Sequence, residues 1–211
     1  MRSNLLPIAK EGWNYIAGAI LSLIIFSFLG LSFLYFLAFL TTVFFIFIFR
    51  NPERETLLYQ DNSVVSPIDG TVVSIEEFKD GKYAYKVEVD SSYLNVSLLR
   101  TPFTSSLNSI KKHNGARLSN FSSLSKHLNE NLELTFSDKN SNSIKVLHRL
   151  KQSFIGIETE AIKSQNFLQG SRYGIMINGI TTLYLPQNFR LNISVGSELI
   201  ASETLVGYFT N

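Results

Sequence analysis

The sequence predicts a mostly β soluble domain behind an N-terminal transmembrane α-helical hairpin. Two observations carry that expectation. From Trp13 to Phe49 the chain runs 37 residues without one charged side chain. Beyond Pro52, short β-branched runs alternate with turn dipeptides. A chain of 211 residues suits one globular domain plus an accessory segment. The expected division is 1–50 for the membrane anchor and 51–211 for the β domain.

The apolar run is too long for a single straight span. At about 1.5 Å per residue it makes roughly 55 Å of helix, against a hydrocarbon core of about 30 Å. Two helices of about 17 to 18 residues fit that thickness, with the turn near Gly30-Leu31-Ser32. A secretory signal is the bland alternative, but its apolar stretch spans about 7–15 residues, and no small-residue cleavage site closes this run. Arg2 and Lys10 precede the run, and Arg50 and Arg54 follow it. Cationic flanks on both sides put both ends in the cytoplasm, and Trp13 and Tyr15 suit an interfacial position.

In the β domain, strands are expected at Ser63-Ser66, Thr71-Ile75, Lys82-Val89, Leu132-Phe136, Ile144-Leu150, Thr181-Leu185 and Leu191-Val195. The turn signals are Asp69-Gly70, Asp80-Gly81, Asn114-Gly115 and Asn178-Gly179. Asp69-Gly70 lies between two valine-rich runs and reads as a hairpin turn. One short helix is expected near Ser122-Asn129. The Ser/Asn-rich stretches Thr104-Ser109 and Ser137-Ser143 read as solvated loops.

Composition excludes several function classes. No cysteine is present, which removes disulfides, thiol nucleophiles and thiolate metal sites. A net charge of +2, without a basic cluster interleaved with aromatics, argues against nucleic acid as a partner. His113, His127 and His148 share no metal-ligand spacing, so no metal is expected.

Six motifs, in order, carry a family resemblance. They are Leu6-Pro7-Ile8-Ala9-Lys10-Glu11-Gly12-Trp13, then Phe49-Arg50-Asn51-Pro52-Glu53-Arg54, Val64 to Val73 (VVSPIDGTVV), Leu94 to Pro102 (LNVSLLRTP), Arg172 to Pro186 (RYGIMINGITTLYLP) and Gly196 to Val206 (GSELIASETLV). The set resembles the short bacterial proenzyme class of phosphatidylserine decarboxylases, whose patterns read FFRDPER, VVSPADGKVV, NVHVNRAP, RFGMIRFGSRVDVYLP and GQKVxAGETVI. In that family a serine after glycine attacks the preceding carbonyl and becomes a pyruvoyl group, the electron sink of the decarboxylation.

The departures from the pattern fall on the chemistry. The self-cleaving segment is one residue short here. Counting forward from Arg172 puts Ile180 at the serine position; counting back from Pro186 puts Gly179 there. Neither has a hydroxyl. Ser97 stands where the family has its histidine, and serine has no proton affinity near neutrality. The family Ala-Arg-Arg-Ile run is replaced by Thr159-Glu160-Ala161-Ile162, with glutamate where arginine would suit a phosphate. The family Asn-Glu-Arg survives only as Asn129-Glu130-Asn131. Of the aspartate, histidine and serine of the family, Asp69 alone remains, and a turn role would account for it equally.

On residues alone, Ser97 reads as a polar strand residue, Gly179 as a turn glycine and Ile180 as the start of a strand. Ser171, in a Gly170-Ser171 pair, and Thr181 carry the hydroxyls open to alternative processing.

The resemblance therefore implies a membrane-anchored, decarboxylase-like pseudoenzyme with no pyruvoyl cofactor, since no other electron sink is encoded. Its expected place is the inner membrane, with the β domain facing the cytoplasm. Its expected partners are membrane lipid (phosphatidylserine or phosphatidylethanolamine) and a protein partner or a second copy. Two alternatives stand beside it: an active decarboxylase making phosphatidylethanolamine after unconventional processing, and a structural membrane protein without a lipid site.

Overall fold

The computed structural model describes residues 6–54, 62–119 and 122–210. The chain divides into two units, one ending at Glu53 and one beginning at Arg54, slightly later than the boundary expected after residue 50. Arg2, one of the expected flanking charges, lies outside the described residues.

In the first unit a 3-10 turn, Lys10–Gly12, leads into α1 (Trp13–Phe28), and α2 (Ser32–Ile48) follows after three residues. The chain reverses through Gly30, whose φ of +69° suits a residue without Cβ. The open end of the pair is tied antiparallel: Ala9 N–H donates to the Phe49 carbonyl and Asn51 N–H to the Pro7 carbonyl, both at 2.7 Å. Tyr15 stacks on Phe49 with ring centroids 5.5 Å apart. Gly12 is required there, because a Cβ would lie 2.4 Å from the Phe49 ring. Most large apolar side chains of both helices face outward, among them Leu21, Ile24, Phe28, Phe33 and Phe36. The segment Lys10–Phe28 is long and apolar enough to cross a membrane; the apolar helix Ser32–Ile48 is shorter.

The second unit is almost wholly β. Its strands are β1 (Ser63–Val65), β2 (Gly70–Glu77), β3 (Tyr83–Ser91), β4 (Leu98–Arg100), β5 (Ser105–His113), β6 (Asn131–Ser137), β7 (Ser143–Leu150), β8 (Glu158–Thr159), β9 (Asn166–Phe167), β10 (Arg172–Ile175), β11 (Gly179–Pro186), β12 (Phe189–Leu191), β13 (Glu198–Leu199) and β14 (Leu205–Phe209). A four-residue helix, α3 (Ser125–Leu128), precedes β6. One antiparallel sheet has the order β13-β2-β3-β11-β7-β6-β5-β9, and two three-stranded sheets have the orders β1-β14-β12 and β4-β10-β8.

Alternation builds the core. Ile144, Val146, His148 and Leu150 of β7 point inward, as do Leu132, Leu134 and Phe136 of β6. They pack with Val87, Val89, Leu183 and Leu185 from the neighbouring strands.

Three expectations from sequence are corrected. Thr104-Ser109 is not a solvated loop: β5 begins at Ser105, and Leu107 is fully buried opposite Phe136. Pairing with β6 supplies what composition did not. Leu191-Val195 is a strand only as far as Leu191. Ser194 and Ser197 then close a turn around Gly196, where φ is +89°. Asp69-Gly70 is not a hairpin turn either, because β1 pairs with β14 whereas β2 pairs with β3 and β13. It is a crossing between sheets.

Gly70 is needed at that crossing because a Cβ there would meet the Asp90 carbonyl oxygen at 2.4 Å. Gly70→Ala is expected to cost about 1–3 kcal/mol, the range for overpacking a filled site. Urea unfolding of the detergent-solubilised chain reads this, and an unchanged midpoint would refute it.

Candidate functional site

Gly179 opens β11, with Ser91 of β3 opposite on one side and Leu150 of β7 on the other. The space beside its Cα is already filled. A Cβ would lie 2.5 Å from Met176 Sδ and 2.6 Å from the Arg149 carbonyl oxygen. Met176 is fully buried, and its N–H donates to the Ser97 carbonyl at 2.8 Å. Ser97 itself is buried. On the other side, Ser91 Oγ donates to the Asp69 carbonyl at 2.5 Å. Asp69, Ser97 and Gly179 are therefore brought together through Ser91 and Met176, although 82 residues separate Ser97 from Gly179. Ile180, next along β11, is buried on the opposite face of the sheet from Gly179.

Both oxygens of the Asp69 carboxylate are engaged. Oδ2 accepts from the Arg54 guanidinium at 2.7 Å, and Oδ1 accepts the Ala201 N–H at 2.8 Å. Arg54 also lies 3.9 Å from Glu203. Arg100 belongs to the same charge cluster. Burial lowers its pKa below the ordinary value, Arg54 and Arg172 push the same way, and Asp69 and Glu203 oppose them. The neighbourhood thus gathers three arginines against two carboxylates. The sequence reading passed over Arg100 and Arg172, although both stand in the quoted motifs.

A second polar group lies on the inner face of the large sheet. His148 is fully buried, with Nδ1 2.7 Å from Thr181 Oγ1 and Nε2 2.6 Å from the Tyr173 hydroxyl. A neutral imidazole has one donor and one acceptor nitrogen, so one hydroxyl donates to the ring and the other accepts from it. Burial holds the imidazole pKa down to about 3 and pushes the phenol of Tyr173 up. Both ring nitrogens are occupied within the core, which makes His148 a packed polar residue. Its partners lie 25 and 33 residues away, so no local signal marked it.

The other positions singled out from sequence take structural places. Thr181 lies inside β11, paired with Val89 and His148. Ser171 precedes β10, and its carbonyl accepts from the Thr101 N–H and hydroxyl. Asn129 clamps the backbone of Leu118 and Leu150, and buried Glu130 pairs with Lys112 and Arg117 while accepting the Ile157 N–H. Among the described residues no group of three histidine or acidic side chains could hold a metal.

The architecture defines the class: an almost wholly β unit that follows a pair of apolar helices. Residues 41–207 match the family model for phosphatidylserine decarboxylase, and the chain belongs to that family. Similar proteins include a phosphatidylserine decarboxylase proenzyme of Geobacter metallireducens, 29% identical, covering 98% of this chain and 99% of the relative. Another, from Geotalea daltonii, is 29% identical over the full length of both. A third, from Burkholderia cenocepacia, is 28% identical and covers 94% of each. No solved structure matches.

Neither Gly179 nor Ile180 carries a hydroxyl, and a Cβ at Gly179 would meet Met176 and the backbone of Arg149.

His148 gives the fold a definite response to acid. In the unfolded chain the imidazole takes up a proton below about pH 6.5, and in the fold it resists until about pH 3. This contribution is complete above pH 6.5 and declines as pH falls, by about 1.4 kcal/mol per unit. About 2 kcal/mol is expected to be lost through it between pH 6.5 and pH 5. Urea midpoints across that window should show the loss, and His148→Gln should flatten the slope while lowering stability throughout. An equal slope in both proteins would contradict the assignment.

Proposed function

We propose that this chain is a phosphatidylserine decarboxylase family member that stays at the membrane but does not make its own pyruvoyl group. The observation that carries the reading is the filled space beside Gly179. No hydroxyl is present at either counted position, and the Met176 thioether and the Arg149 carbonyl take up the room one would need. Asp69, held by Arg54 and the Ala201 N–H, serves as a structural clamp in this reading. Ser97 replaces a proton-accepting imidazole with a group that cannot act as a base near neutrality. Without an electron sink, the carbanion left by loss of carbon dioxide has no acceptor.

The function left to such a protein is binding in phospholipid metabolism, to a lipid headgroup or to a protein partner, which includes a second copy. Outward-facing apolar side chains on α1 and α2 support insertion of the helix pair in the bilayer. Lys10 on one side and Arg50 and Arg54 on the other support a cytoplasmic β domain at the inner membrane.

One observation favours a second reading, an active decarboxylase that forms phosphatidylethanolamine after processing at Gly170-Ser171. Gly170 has a φ of +75°, and its carbonyl oxygen accepts from the Arg100 guanidinium at 3.1 Å. Attack by Ser171 Oγ on that carbonyl would place the developing oxyanion beside a cation. Thr181 is less suited, because its backbone is bonded into the sheet on both edges.

Intact-mass spectrometry of the purified full chain separates the readings. A single species near 23.8 kDa is expected. Two fragments joined at Gly170-Ser171, the smaller with a carbonyl-blocked N-terminus, would overturn the first reading and establish the second. Gly179→Ser is expected to stay uncleaved and to be destabilised by about 1–3 kcal/mol through overpacking. Cleavage of that variant would show that the space can be cleared.

A further inference from the structure

The outward row that crosses the large sheet beside Ile180 reads Thr71, Asp90, Ile180, Arg149, Asn131 and His113, each opposite the next. Residues directly opposite share a face, so Arg149 points away from the core that holds His148. The outward positions of β7 before it, Ser143, Lys145 and Leu147, are all half-buried. Arg149 differs, with only 9% of its surface exposed. It lines a cleft of about 450 Å³ between the sheet and the segment carrying α3.

No hydrogen bond or ion pair among the described residues involves its guanidinium. Its guanidinium is not sealed in the protein interior but faces the cleft, and the groups around it do not hold it. Lys126, His127 and His113 line the same cleft. The carboxylate there belongs to Glu133, and Lys145 holds it at 2.7 Å. Asn131 adds a neutral amide. Donors and positive charge converge on the cleft, and the carboxylate in its lining, Glu133, is already paired with Lys145.

We propose that this cleft is a binding site for a phosphate ester, with Arg149 as the anchor. A guanidinium matches phosphate oxygens as a two-pronged donor, and Lys126 and the imidazoles can reach the remaining oxygens. The volume exceeds that of one phosphate and suits a small substituent on it. The site lies on the opposite face of the sheet from Gly179 and does not depend on whether the chain matures. The ester is either a soluble metabolite or the headgroup of a phospholipid; the chemistry at Arg149 is the same.

The test is equilibrium binding to the full chain in a zwitterionic detergent. The probes are inorganic phosphate, O-phosphoserine, and short-chain phosphatidylserine and phosphatidylcholine below their micelle concentrations. Saturable binding of a phosphate probe is expected, weakened by salt and reduced at least about tenfold in Arg149→Gln, the loss of one charge-assisted contact. Binding of phosphoserine without phosphatidylserine assigns a soluble ester, and tighter binding of phosphatidylserine assigns a headgroup. Either supports the site.

Absence of saturable binding by all four probes overturns the proposal. So does equal affinity in a folded Arg149→Gln chain, or equal binding of acetate and phosphate. Should Arg149→Gln fail to fold, the exposed pair Lys126→Ala and His127→Ala replaces it. Their expected loss is about threefold or more, and unchanged affinity would again overturn the site.

Discussion

Strand β11 is bonded through its backbone to β3 along one edge and to β7 along the other, and the rest of the β unit is arranged around that double pairing. The register places Ser91, Gly179 and Leu150 in one row and Val89, Thr181 and His148 in the next. A shift by one residue would turn every inward side chain outward, moving Leu183 and Leu185 off the core face and Thr182 and Tyr184 onto it. The candidate site inherits its geometry from this constraint. Asp69 reaches Gly179 only because Ser91 lies opposite it, and Ser97 reaches it only through Met176, in the turn before β11.

Within that frame the core accepts an imidazole and two hydroxyls in place of apolar side chains. Each polar atom of the His148, Thr181 and Tyr173 group finds its partner inside the group. Satisfied networks of this kind fix a unique packing, whereas loss of one member leaves the others buried and unpaired. Aromatic contacts extend the group: Tyr173 packs against Phe136 and Phe167 with ring centroids 5.6 and 6.5 Å apart. The inner face of the sheet is thereby tied to β10 and β9, which precede β11 in the chain.

What could be read from the sequence followed local signals. Strands β2, β3, β6, β7 and β11 alternate or carry β-branched runs, and each lies where that pattern puts it. The break between the helices falls beside Gly30. β5 was missed because Ser105, Ser106, Asn108 and Ser109 look like a loop until β6 pairs with them. Asp69-Gly70 looked like a hairpin because the close approach of the Asp90 carbonyl exists only once β3 is in place. At the candidate site, the motifs located Asp69, Ser97 and Gly179, but no pattern announces a thioether from residue 176 occupying the space beside residue 179. Arg149 was equally silent. A cation on a strand reads as solvated until α3 and its flanking segment cover it.

The only tryptophan of the chain, Trp13, stands at the first position of α1 and is about half exposed. The β unit contains tyrosines and no tryptophan. The apolar helices thus carry one indole and the sheet none, so tryptophan emission distinguishes the two units without any labelling. Indole emission follows the surroundings of the helix pair alone: its wavelength reports polarity there, and quenching by bromine-bearing acyl chains reports depth. Tyrosine absorbance and near-ultraviolet dichroism remain largely available for the β unit, where Tyr173 is locked in the core. The surroundings of the helix pair and the unfolding of the β unit can therefore be followed in the same cuvette, one unit at a time.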